Sequence, residues 1–344
     1  MPNYYDGAKL LSLKDLDGRD PEIYICCGNR TGGKTVYFSR MLANRWINKA
    51  KKFMLLYRYS YETADVADKF FKDIGSLFFQ GHEMTSMTCM RGAYSELFMD
   101  DEPCGYAVAI NKADQVKKLS HLFSDTDAMF FDEFQSETNQ YCPNEIQKLM
   151  SIHTSVARGH GQMVRRVPLY MCSNSVTIIN PYFVELGISE RLNVDTRFMR
   201  GHGFVMEQAW VEDAAQAQKE SGFMRAFAGN RYADYASQNV YLNDNLAFVD
   251  KPEGRGRYVL TLRYNGVDYG VREYADQGIV YCDNRADLTF PTRIAVTTED
   301  HDVNYVMLKR NALTVQTLRY YFDHGCFRFK DLRSKEAVLH ALSY

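Results

Sequence analysis

The sequence predicts an α/β chain in two parts: a mostly parallel sheet covered by helices, then a smaller α+β unit. Three observations carry this. Short apolar runs alternate with amphipathic stretches up to about residue 205. The first run empties into a glycine-rich turn. Beyond residue 257 the runs become close-set and are joined by Asn265-Gly266 and Asp276-Gln277-Gly278, and Asn-Gly between alternating apolar segments marks a hairpin.

Glu22 to Cys27 (EIYICC) reads as the first strand, and Lys34 to Asn48 as the helix after it. Lys52 to Arg58 is a second strand, followed by a helix over Tyr61 to Ile74. Tyr106 to Ile110, Ala128 to Phe131 and Val167 to Cys172 are further strands, with a proline-opened helix over Pro143 to His153. The stretch Gly81 to Cys104 reads as a long, Met-rich loop, either an ordinary surface insertion or a segment facing a channel. Glu207 to Ser237, rich in Ala, Gln and charge, has weak helical spacing. In the second part, Arg257 to Tyr264, Tyr269 to Tyr274 and Ile279 to Asp283 are strands, and helices are expected over Val303 to Asn311 and Val315 to His324. The expected divisions are therefore a first α/β domain over 1–205, a helical linker subdomain over 206–244 and a second, α+β domain over 245–344.

The bulk numbers agree with a globular chain. It has 344 residues, 46% hydrophobic, 24% charged and 14% aromatic, long enough for two cores. A net charge of −2 argues against a protein that coats nucleic acid, so any grip on DNA must be local and reversible. The eight cysteines form no CxxC pair and no zinc-ligand spacing, which points to reduced thiols in a cytosolic compartment. No apolar run approaches a membrane span, so a soluble protein is expected.

The chemistry is concentrated in two strings. Gly28-Asn29-Arg30-Thr31-Gly32-Gly33-Lys34-Thr35 fits G-x-x-x-x-G-K-[ST], between a strand and a helix. Its glycines let backbone N–H groups turn onto phosphates, and the helix N-terminus adds positive potential. Lys34 would reach the β/γ-phosphates and Thr35 would bind Mg²⁺. Asp132-Glu133 ends the strand Ala128 to Phe131. An Asp there holds the Mg²⁺ shell, and the adjacent Glu can polarise water for in-line attack. Asn174, at the tip of the next strand, is either a sensor of the γ-phosphate or a turn residue. Asn111-Lys112-Ala113-Asp114 matches the N-K-x-D string that reads guanine, but it precedes Asp132 where the order demands it follow. ATP is the expected nucleotide.

GNRTGGKT, FFDEF (130–134), MCSNSVTIINPYF (171–183) and RLNV (191–194) together resemble the DNA-encapsidation ATPases of small short-tailed phages of the Bacillus podovirus type. YNGVDYGV (264–271), DQGIVYCD (276–283) and HGCFRF (324–329) extend the resemblance over most of the chain. It implies an additional-strand, catalytic-glutamate P-loop ATPase domain and a C-terminal domain similar to an RNase H-like nuclease that has lost its chemistry. It further implies a homo-oligomeric ring, usually of five subunits, at the portal vertex of a procapsid in the host cytoplasm. Such a ring translocates double-stranded DNA, with a scaffold packaging RNA as a possible further partner.

The resemblance also assigns residues. Arg158 falls where the family places an arginine finger acting on the neighbouring subunit, with Arg165 and Arg166 close by. Lys118, beside Lys117, resembles a basic position that reaches across the interface. Arg58 resembles an Arg near the nucleotide or the catalytic Glu. The RNase H-like domain is expected to lack nuclease activity. Its first strand, RYVLTLRY, offers no acid, and Asp283, Asp287, Asp300 and Asp302 read as turn acids. Arg255, Arg257, Arg263, Lys330 and Arg333 would give it positive charge for binding DNA, portal or RNA. The rival readings are a helicase or partition motor on the same fold, a small-molecule P-loop kinase, and a module that uses ATP only to order assembly.

Overall fold

The computed structural model describes residues 4–65, 70–138, 140–158, 163–178, 180–189, 191–192, 196–226 and 252–342. The chain divides into two compact units. The first is Met1–Ser136, Tyr141–Val176 and Asn193–Val240, and the second is Glu137–Gln140, Thr177–Leu192 and Tyr241–Tyr344.

In the first unit, α1 (Ala8–Ser12) precedes β1 (Ile23–Gly28), α2 (Lys34–Lys49) and β2 (Lys52–Tyr57). Then come α3 (Ser60–Asp65), α4 (Lys72–Phe78), β3 (Met84–Cys89), β4 (Tyr94–Met99), β5 (Glu102–Ala109) and α5 (Ala113–Lys118). The unit continues through β6 (Thr126–Asp132), α6 (Glu145–Val156) and β7 (Leu169–Asn174). The strands form one nine-stranded sheet in the order β3-β4-β5-β2-β6-β7-β1, closed by two strands that come after residue 197. β7 lies between β1 and β6 and pairs with both in parallel. That is the inserted strand expected of the additional-strand class. Strands buried on both faces need apolar residues at every position rather than alternation, which is why IYICC and AMFF read as unbroken runs. Phe38 and Leu42 of α2 pack with Phe53, Phe130 and Tyr170 of the sheet to form the core.

Several expectations need correction. The expected loop Gly81 to Cys104 contains β3 and β4, an antiparallel hairpin on the sheet edge. Its tip is Met90-Arg91-Gly92, all with positive φ (50°, 56° and 81°). β3 has a single neighbour and no fully buried residue, so its sequence carries no strong alternation. The helix expected over Tyr61 to Ile74 is two helices, and Phe71, at φ 57°, breaks the path before α4.

The division at residue 205 also fails. After α7 (Pro181–Glu185) and β8 (Phe198–Arg200), β9 (Phe204–Ala209) runs parallel to β1 over its whole length. Glu207 is therefore a strand residue of the ATPase sheet, not part of a linker. α8 (Glu212–Glu220) and α9 (Gly222–Ala226) supply helix in the expected linker 206–244, of which 227–244 lie outside the described residues.

The second unit has a six-stranded sheet. β10 (Arg257–Tyr264), β11 (Val267–Tyr274) and β12 (Ile279–Asp283) form a meander. β13 (Arg293–Ala295) and β14 (Val306–Met307) add in parallel beside β10, and β15 (Phe327–Phe329) adds beside β12. A meander flanked by parallel strands is the arrangement expected of an RNase H-like sheet. α10 (Ala312–Asp323) and α11 (Leu332–Leu342) contribute Leu318, Ala337 and Val338 to its core. The helix expected over Val303 to Asn311 is instead β14 and a 3₁₀ turn, because Val306 and Met307 pair with β13. The Asn-Pro-Tyr-Phe block belongs to this unit. Asn180 caps α7 by accepting from the Phe183 N–H at 3.0 Å and donates to the Thr177 carbonyl at 3.1 Å, and Phe183 is fully buried.

The hairpin between β10 and β11 turns on Asn265 and Gly266 at φ 51° and 74°, as a two-residue primed turn requires. Asp300 accepts both turn N–H groups, at 2.9 and 2.7 Å. Gly266→Ala places a Cβ in the left-handed region and should cost about 1 kcal/mol in the urea transition of this unit.

Candidate nucleotide site

β1 ends at Gly28, and a Cβ there would lie 1.7 Å from the Ala209 carbonyl oxygen. Only glycine lets β9 pair at this point. The loop then turns through Thr31 and Gly33, at φ 58° and 90°, before α2 starts at Lys34. The Asn29 side chain is committed within the protein: Nδ2 donates to the Val211 carbonyl at 3.0 Å, and Oδ1 accepts the Val211 N–H at 3.1 Å. It staples the loop to the segment after β9. Lys34 is buried, with Nζ donating to the Asn29 carbonyl at 2.6 Å.

Asp132 is the last residue of β6. The neighbouring Thr35 hydroxyl favours its charged form. The Asp132 Oδ1 accepts from the Glu133 N–H at 2.9 Å and the Cys172 thiol at 3.0 Å. Burial pushes its carboxyl above the ordinary carboxylate range, against the pull of those bonds and of Lys34. A carboxylate and a hydroxyl side by side, open to phosphate oxygens, are the hard donors that Mg²⁺ takes from a protein.

Glu133 is exposed and holds φ 52°, a conformation that costs a non-glycine residue roughly 1 kcal/mol or more. The strain is held by Arg58. Its Nη2 donates to the Phe134 carbonyl at 2.6 Å and its Nη1 to the Glu133 carbonyl at 3.4 Å. Its Nε lies 3.1 and 3.0 Å from the two oxygens of Glu145, and its guanidinium sits 5.4 and 5.1 Å from the Phe131 and Tyr141 ring centroids. Glu145 also accepts from the Cys142 N–H at 2.7 Å. Gln135 ties the same turn to its neighbours, donating to Cys27 Sγ at 3.3 Å and accepting the Val176 N–H at 3.2 Å.

A cavity of about 810 Å³ gathers Thr31, Gly32, Gly33, Lys34, Thr35, Asp132, Glu133, Ser173 and Asn174. Asn174 sits opposite Gly28 in the parallel pairing of β1 with β7. Gly28, Asn29 and Arg30 shape the loop without lining the cavity. Arg58, Lys118 and Arg158 do not line it either. Arg58 acts through the backbone of the Glu133 turn. Lys118 is exposed at the end of α5. The Asn111 to Asp114 string follows β5, four strands from β1, and lies outside the cavity.

Arg158 is exposed beyond the end of α6. α6 starts where Arg58 meets Glu145, at the phosphate end of the sheet. It finishes at the other end, where Arg165 donates to the carbonyls of Val156 and of Thr126, the first residue of β6. Arg165 is thus held by backbone, and Arg166 donates to the Pro21 carbonyl at 2.7 Å and the Tyr24 hydroxyl at 3.1 Å. Of the three arginines, only Arg158 has no hydrogen bond or ion pair among the described residues.

Sequence reasoning missed Glu145, and it missed Tyr4, Tyr5, Tyr37, Arg40, Leu77 and Phe78 on the cavity wall. Asn144 at φ 56° followed by an acid in the first helical turn was the one local hint at Glu145.

The family model described as podovirus DNA encapsidation protein (Gp16) matches residues 3–342. The DNA packaging protein of Bacillus phage phi29 is 25% identical over 330 residues, covering 95% of this chain and 93% of that protein. That of Bacillus phage B103 is 25% identical over 308 residues, covering 88% and 90%. Among solved structures, the genome packaging motor assembly of bacteriophage Phi-29 matches with a TM-score of 0.56 at 23% identity, over 96% of this chain and 95% of that one. The Phi-28 gp11 DNA packaging motor matches with a TM-score of 0.59 at 17% identity, over 100% and 99%. At those identities the solved structures show a shared fold.

Two outcomes follow from the site. Glu145→Gln should lower kcat for ATP roughly tenfold or more while leaving KM within about twofold, because Glu145 acts on the Glu133 turn through Arg58 and does not line the cavity. Asp132→Asn should abolish hydrolysis yet raise the thermal midpoint of the nucleotide-free protein at pH 7. A carboxyl whose pKa rises on folding from 3.8 costs stability once pH exceeds that unfolded value, and the amide removes the cost.

Proposed function

We propose that this chain, which belongs to the podovirus DNA encapsidation protein family, hydrolyses ATP to drive double-stranded phage DNA through the portal into a preformed capsid. Its relatives are named DNA packaging proteins. The observation that carries the reading to this chain is the gathering of Thr31 to Thr35, Asp132, Glu133 and Asn174 on one cavity. A P-loop, a catalytic pair and a polar strand tip in that arrangement are what phosphoryl transfer to water needs.

The loop N–H groups and the start of α2 hold the phosphates, and Lys34 exchanges its carbonyl partner for phosphate oxygens. Asp132 and Thr35 would hold Mg²⁺, which would supply neutralisation of charge on the phosphates. Glu133, exposed at the cavity and held by its strained backbone, orients the attacking water and accepts its proton. Asn174 reports the γ-phosphate from the tip of β7.

Arg158 lies at the opposite end of the sheet from its own P-loop, so its charge serves a site other than its own. A homo-oligomeric ring, five subunits in the family pattern, brings that charge to the neighbour's γ-phosphate. Lys118 acts across the same interface. The ring works at the portal vertex in the host cytoplasm, with a packaging RNA as a further partner.

The C-terminal unit binds rather than cuts. Asp283 pairs with Arg272, Asp300 holds the hairpin turn, and Asp302 pairs with Arg263, so each acid already has a structural task. The same pairs reduce the positive patch: Arg263 is neutralised by Asp268 and Asp302, and Arg257 by Glu273.

ATP turnover is expected to rise when empty capsid and double-stranded DNA are both present. Turnover indifferent to both would defeat the motor reading. Glu133→Gln should cut turnover by two orders of magnitude or more with ATP still bound. Arg158→Ala subunits mixed into wild-type rings should depress turnover by more than their share, and a strictly proportional decline would rule out action between subunits.

A further inference from the structure

The cavity does not stop at the phosphate loop. It continues onto Tyr4, Tyr37, Arg40, Leu77 and Phe78. Tyr4, Leu77 and Phe78 are 68%, 67% and 42% exposed. Large apolar side chains converging on a cavity mark the seat of an apolar ligand group, and nothing in the hydrolysis of a phosphate chain uses these.

The wall is held in place. The Tyr5 N–H donates to the Gly32 carbonyl at 2.8 Å, and the Tyr5 hydroxyl donates to Glu207 at 2.9 Å on β9. Those two bonds anchor the segment so that Tyr4 atoms lie 3.3–3.7 Å from where a Cβ on Gly33 would sit. Arg40 lies six residues beyond Lys34 on α2, about 9 Å along the helix. That offset is comparable with the span of a triphosphate and a ribose. Its guanidinium carbon sits 4.4 Å from the Phe78 ring centroid, which makes a flat cationic and aromatic surface.

We propose that the purine base of the bound nucleotide stacks on the Arg40–Phe78 surface, with Tyr4 closing the cavity beside the loop. This rests on the nucleotide reading of the site and adds where the base goes and how it is held. Every base can stack, but stacking strength grows with the overlapping ring area, so the slot favours two-ring purines over one-ring pyrimidines.

Calorimetric titration of the full chain with ATP, CTP and inorganic tripolyphosphate, each with Mg²⁺, tests this. Wild type is expected to bind ATP roughly tenfold tighter than CTP or tripolyphosphate. Phe78→Ala and Tyr4→Ala should each erase most of that advantage and leave tripolyphosphate affinity unchanged, while Phe78→Tyr should restore it. Both side chains are exposed, so truncation opens no core. Equal losses for ATP and tripolyphosphate, or an unchanged ATP preference in both alanine variants, would overturn the slot while leaving the nucleotide reading standing. Wild type that binds tripolyphosphate and ATP alike would overturn the slot as well. Wild type that binds neither would overturn the nucleotide reading itself, and the slot with it.

Discussion

The first unit depends on a contact with no room in it. The Ala209 carbonyl oxygen occupies the space that any side chain at residue 28 would need. Because residue 28 is glycine, β9 can run along β1 to its last residue and deliver Val211 to Asn29. That staple sets the start of the phosphate loop. β9 also carries Glu207, which takes the Tyr5 hydroxyl and so holds the N-terminal segment over Gly32. Burial raises the Glu207 carboxyl above its usual range, while Tyr5 and Arg197 hold its charge. One glycine therefore decides the edge of the sheet, the shape of the loop and one wall of the cavity.

What the sequence revealed follows from what is local. A P-loop is eight consecutive residues with fixed backbone demands, and a strand buried on both faces leaves an unbroken apolar run. Both are visible without tertiary information. Glu145 is not. Its task is set by Arg58, 87 residues away, and an acid near a helix start ordinarily signifies nothing more than a favourable dipole. The β3–β4 hairpin was hidden for a related reason: an edge strand exposed on both faces has no burial pattern to imprint on its residues. β9 was mistaken for linker because its polar members, Glu207 and Gln208, are satisfied by partners outside the strand.

The second unit shows how little a count of arginines says about a binding surface. Arg257, Arg263 and Arg272 stand on the meander, and each has a carboxylate beside it. The Arg263 guanidinium also lies 3.8 Å over the Tyr305 ring. Such residues stiffen a sheet more than they project a field. Phosphate-backbone contacts need charge that is not already answered, so nucleic acid is better served by residues such as exposed Arg255, which has no ion pair among the described residues. A net charge of −2 is compatible with a motor that must hold DNA and release it at every step.

α6 joins the two ends of the catalytic problem. At its start, Glu145 and Arg58 fix the backbone of Glu133. At its finish, Arg165 clamps the Val156 carbonyl, and His153 donates to the Val167 carbonyl at 2.8 Å. The helix is twelve residues, about 18 Å, and both ends are tied to the sheet. Arg58 ties the start of this helix to the Glu133 and Phe134 carbonyls, and Arg158 lies just beyond its finish. In the function proposed above, one helix tied at both ends therefore joins the turn of the water-orienting glutamate to the arginine offered to the next subunit.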